Sequence, residues 1–67
     1  MRDSDAFTAQ AARCREDADA ATLDNVRDRN LRAEAAWAAM AARSRRTEAS
    51  RDAREAQAAA LPPVEPE

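Results

Sequence analysis

The chain has 67 residues, twenty of them alanine, with a formal net charge of −2, no histidine, no glycine and one cysteine. That length holds at most one small domain, and a lone cysteine forms no intramolecular disulfide. No apolar run approaches the roughly 18 residues that a membrane-spanning helix needs, and no segment joins a basic start to an apolar stretch as a secretory signal does, so the expected compartment is the cytoplasm.

The 45% hydrophobic content is mostly methyl groups. Away from the ends, the apolar side chains larger than alanine are Phe7, Cys14, Leu23, Val26, Leu31, Trp37 and Met40. Burying these few falls short of offsetting the conformational entropy of ordering the chain. Self-association or a partner protein is therefore expected to complete the core. Charge is uneven along the chain. Residues 1–25 carry three arginines against six acids, residues 26–54 eight arginines against four acids, and residues 55–67 three glutamates and no arginine. An acidic arm beside a basic one favours antiparallel packing, within a chain or between chains. Lysine is absent, and arginine with alanine is the pattern a GC-rich genome encodes.

A first helix is expected over about residues 4–21. Ser4 is a good type to accept from the free N–H groups of the first turn, with Asp5 placed favourably against the helix dipole. Phe7, Ala11, Cys14, Ala18 and Ala21 are spaced 4, 3, 4, 3 and form one helical stripe. Cys14 lies on that stripe, and packing is its expected role. With one cysteine and no histidine, a zinc site within one chain is excluded. No metal or cofactor is expected.

The stretch AATLDNVRDRN, residues 20–30, interrupts the pattern. Leu23, Val26, Asn30, Ala33, Trp37, Met40, Ser44 and Thr47 form a second stripe that does not share the phase of the first. A turn near residues 20–25 lets both stripes face one core. A continuous rod would point them at different neighbours. Thr22 is a good N-cap type with Asp24 and Asn25 in the turn after it, so a new helix is expected over about residues 23–60. No Gly or Pro marks the turn, and the rod is the alternative.

Trp37 sits on the second stripe, as core or as an anchor in another protein's pocket. Asn30 is either a register-fixing polar residue at a seam or a solvated side chain. The alanines around Trp37 permit close helix approach from several sides. Residues 43–54, RSRRTEASRDAR, carry Arg43, Arg45, Arg46, Arg51 and Arg54, with Glu48, Asp52 and Glu55 interspersed within i,i+3 or i,i+4 reach of Arg45, Arg51 and Arg54. The favoured reading is a solvated face laced with local ion pairs; the sharper one is contact with nucleic acid or an acidic partner. No aromatic accompanies them for base stacking. Leu61 precedes Pro62, which ends the helix, and residues 62–67 are expected as an extended, mobile, acidic tail. Residues 1–61 then form the folded unit.

Residues 11–41 also resemble a group of small, mostly uncharacterised bacterial proteins with a pattern close to A-x-x-C-R-x-x-A-x-x-A-T-D-P-x-V-R-x-x-L-L-x-x-A-x-x-W-x-x-L-A. Cys14, Arg15, Ala18, Ala21, Thr22, Val26, Arg27, Leu31 and Trp37 match that pattern, and Met40 replaces a leucine. The Asp-Pro pair reads Leu23-Asp24 here, and Asn30 stands for one of the paired leucines. The resemblance implies a short helical hairpin and no known activity.

These readings converge on an all-α protein: an antiparallel two-helix hairpin with a longer second helix, pairing into a helical bundle. With no His, no Gly-rich phosphate loop and no paired nucleophile and base, an enzyme is not expected. The expected function is a protein-interaction module, either a homo-oligomer or an accessory subunit of a larger complex. A nucleic-acid-associated protein and a small inhibitor of another protein are the alternatives. No membrane insertion is expected.

Overall fold

A computed structural model describes residues 2–62. The described residues form two helices, α1 (Asp3–Ala20) and α2 (Asp24–Ala60), which pack against each other as a hairpin. The expected bounds were about 4–21 and 23–60. The expected acidic tail lies, from residue 63 on, outside the described residues.

The turn is built without glycine because it needs no left-handed residue. Ala21 (φ −70°, ψ 135°) and Leu23 (φ −105°, ψ 133°) are extended, and no residue has positive φ among those described. The loose ends are satisfied locally. The Ala21 N–H donates to Ala18 O at 3.2 Å, and the Arg27 guanidinium donates to Ala21 O at 3.1 Å, closing the end of α1.

Both expected caps are corrected. Thr22 does not cap α2: the N-cap position is Leu23, with no side-chain hydrogen bond, and Asp24 opens the helix. Asn25 Oδ1 instead accepts from the Val26 N–H at 3.0 Å, and Asp24 supplies the negative charge that suits a helix start. Ser4 does not cap α1 either. Arg2 holds the N-cap position and Ser4 is drawn into the first turn, where it is buried. Its polar groups are taken by α2, described below.

Asp24 is thus the first helical position, and the residue before it is already extended. Asp24→Pro is expected to leave helicity and the thermal midpoint essentially unchanged, because proline suits that position and asks the preceding residue for β geometry. The same residue in a helix interior, as in Ala36→Pro, costs about 3 kcal/mol. Circular dichroism melts of the two variants compare these directly. Equal losses from both would mean that residues 20–25 run as continuous helix.

Packing along the hairpin is thin. Among the described residues the buried apolar ones are only Ala18 and Ala41, and no large side chain is fully buried. Phe7, Cys14, Val26, Leu31, Trp37 and Met40 are half-buried. Phe7 and Trp37 meet across the helices with ring centroids 5.8 Å apart and planes tilted by 31°. Alanine at the closest positions lets the two backbones approach. α2 outruns α1: every residue from 49 to 60 is exposed. The radius of gyration is 19.3 Å, against about 11 Å for a compact chain of this length. No described helix is long and apolar enough to cross a membrane.

Candidate functional site

The two sides of the hairpin differ. One is sealed by polar contacts between α1 and α2. At its open end Arg2 meets Asp52 at 3.0 Å and Glu48 at 3.7 Å. Ser4 donates to the Glu48 carboxylate twice, from its hydroxyl at 2.6 Å and from its backbone N–H at 3.2 Å. Arg45 donates to Thr8 Oγ1 at 2.8 Å, and the Thr8 hydroxyl donates to Ser4 O at 2.8 Å. Nearer the turn, Arg15 reaches Glu34 at 3.7 Å and Asp19 on its own helix at 3.3 Å.

Glu48 is held below the ordinary carboxylate value of 4.5, first by the Ser4 hydroxyl, then by the Ser4 N–H and the Arg2 charge, against the opposing effect of burial. Arg2 is correspondingly raised, chiefly by its hydrogen bond and charge contact with Asp52. Exposed ion pairs of this kind contribute little stability one at a time. Their role is to set register: together they fix which residue of α1 stands opposite which residue of α2.

This clasp changes the arginine-rich segment. Local pairing on α2 would have placed Glu48, Asp52 and Glu55 with Arg45, Arg51 and Arg54. Instead Glu48 and Asp52 turn to Arg2 across the hairpin. Arg43, Arg46, Arg51 and Arg54 have no carboxylate within ion-pair distance among the described residues. At about 100° per residue these arginines point in several directions round α2 and make no single face.

The opposite side is open. Toward the open end of the hairpin, Phe7 and Met40 lie at a groove of about 690 Å³ that Asp3, Arg43 and Thr47 line from this side and the clasp residues Arg2, Glu48 and Asp52 from the other. Cys14 is a free thiol on the stripe of Phe7, half-buried. Among the described residues, every cross-helix salt bridge and cross-helix side-chain hydrogen bond lies on the clasp side.

Of the expected interaction residues, the structure brings together Phe7, Trp37 and Met40 around the centre of the hairpin. Leu23 is 62% exposed at the turn and takes no part in packing the two helices. Asn30 is half-buried and donates to Val26 O at 3.1 Å, so it satisfies itself on its own helix. Arg2, Ser4, Glu48 and Asp52 carry the clasp, and the sequence held no local signal for it. Ser4 and Glu48 stand 44 positions apart. No three His, Cys, Asp or Glu side chains converge as a metal site among the described residues.

In comparisons with protein-family models, curated proteins and solved structures, none matches this chain.

Proposed function

We propose that this chain is a non-enzymatic helical interaction module whose core is completed by association, with a second copy as the partner. One observation carries the reading: among the described residues no large side chain is fully buried. The chain exposes 5533 Å². A compact monomer of 7.3 kDa exposes about 4,200 Å². The difference exceeds the roughly 800 Å² that each partner buries in a standard interface. Two hairpins placed side by side bury the half-covered Phe7, Trp37 and Met40 in a four-helix bundle, the arrangement that short-looped antiparallel helices favour.

Sedimentation equilibrium at micromolar concentration tests this. The expected species has twice the 7.3 kDa chain mass and full helicity. A folded monomer, or a chain that is unfolded alone, overturns self-pairing; the second result would direct the search to a different protein.

A further inference from the structure

We infer that the second copy docks on the open side of the hairpin, opposite the Arg2–Ser4–Glu48 clasp, with α1 of each copy against α2 of the other. This rests on the self-pairing proposed above and adds the face, the direction and the charges that select it.

The placement follows from helix geometry. Ser4, Ala11 and Ala18 face α2. Thr8 and Arg15 lie on one flank of that line and make the polar contacts already described. Positions 3, 10 and 17, repeating every seven residues, run along the other flank of α1, about 100° from the facing line. They hold Asp3, Gln10 and Asp17. On α2, Trp37 and Ser44 face α1, and Glu34 and Arg45 lie on the clasp flank. Positions 29, 36 and 43 run along the other flank, again at a seven-residue repeat. They hold Arg29, Ala36 and Arg43. Between the two lines lie Phe7, Cys14 and Met40, the larger apolar side chains that lean to this side.

The charges on these lines are left without partners in the single hairpin. Asp3, Asp17, Arg29 and Arg43 are all exposed, and none is within ion-pair distance of an opposite charge among the described residues. The open side thus offers acids along α1 and arginines along α2. Each set has the same fourteen-residue separation, about 21 Å of helix. A two-fold axis parallel to the helices sets α1 beside the partner's α2, antiparallel, as every isologous contact must be matched by its mirror pair. Asp17 then meets the partner's Arg29, and Asp3 meets the partner's Arg43. The register of the Ser4–Glu48 and Arg15–Glu34 contacts leaves each pair offset by about 4.5–9 Å along the axis, a gap that the length of an arginine side chain spans. Phe7, Cys14 and Met40 are covered between them. These flank pairs play the part that charged flanking positions play in coiled coils, choosing partner and direction. On the clasp side Arg2, Glu48 and Asp52, and Arg15 and Glu34, are already paired with one another.

Charge reversal at one pair tests the face. Asp17→Arg lies near the end of α1 and Arg29→Asp in the second turn of α2, where each new charge suits its own helix dipole. Either variant alone places two like-charged contacts in the dimer. Each is expected to weaken dimerisation by at least about tenfold, read as the sedimentation dissociation constant, with monomer helicity retained. Both changes in one chain restore opposite charges, and affinity is expected to return to within about threefold. An equimolar mixture of the two single variants is expected to form the heterodimer in preference to either homodimer. If the unaltered chain dimerises and the single variants dimerise equally tightly, the face is wrong while self-pairing stands. If the unaltered chain is monomeric, self-pairing itself fails. Weakening in both singles with no rescue in the double or the mixture also overturns the proposed pairing.

Discussion

Trp37→Ala is expected to remove most of the stability of this chain and, with it, the proposed self-pairing. Truncating a buried tryptophan costs about 3–5 kcal/mol, and the half-buried setting of Trp37 reduces this to about 2–3 kcal/mol. The tilted ring contact with Phe7 at 5.8 Å adds specificity that no alanine replaces. Domains of this size have total stabilities of only a few kcal/mol. A thermal melt followed at 222 nm is expected to lose its cooperative transition, and the sedimenting mass is expected to fall to that of one chain. Trp37→Phe keeps an aromatic opposite Phe7 and is expected to retain both. A Trp37→Ala chain that melts and sediments as the unaltered one does would show that the aromatic pair holds nothing together.

Ala18→Leu acts by the opposite mechanism. Ala18 is fully buried between α1 and α2, with no open space beside it for a longer side chain. Added carbons there must push the helices apart or take a strained rotamer, at about 1–3 kcal/mol. Separation of the helices also lengthens the Ser4–Glu48 and Arg15–Glu34 contacts that set the register. Ala12 is exposed on the same helix, so Ala12→Leu is the control and is expected to change stability by about 0.5 kcal/mol or less. Urea unfolding of the two variants makes the comparison. Equal midpoints would mean that the interface has room at Ala18, contrary to its zero exposure.

Much of the fold was legible because it rests on local periodicity. The change of phase between Ala21 and Leu23 located the turn, and the stripes named from spacing coincide with the less exposed positions through Phe7, Cys14, Ala18, Val26, Trp37 and Met40. The agreement then drifts. A 3,4 alternation assumes 3.5 residues per turn, whereas a straight helix has about 3.6 and slips by some 20° every seven residues. Along α2 the inward line therefore passes to Ala41 and Glu48, and Thr47 rotates out to solvent.

The caps were misread for a different reason. Ser4 and Thr22 are residue types that favour N-caps, but propensity gives way when tertiary partners compete. Ser4 gives both its N–H and its hydroxyl to Glu48. The arginine-rich segment shows the same override: i,i+4 neighbours promise local pairs, and Arg2 takes the acids instead.

By itself the sequence determined helix content, the place of the turn and the poverty of the core, all of which follow from backbone propensity, hydrophobic spacing and side-chain size. The tertiary structure decided the register, and the connection is the reason. A hairpin folded evenly about the turn would set Ser4 near residue 40. Ala21 and Leu23 are extended on either side of Thr22, so the connection carries the chain past the end of α1 before α2 begins. That lift brings Glu48 and Asp52 down to Arg2 and Ser4 and leaves Leu23 exposed at the tip. It also parts the hairpin into a sealed side and an open one, a distinction that depends on which residues meet across the two helices.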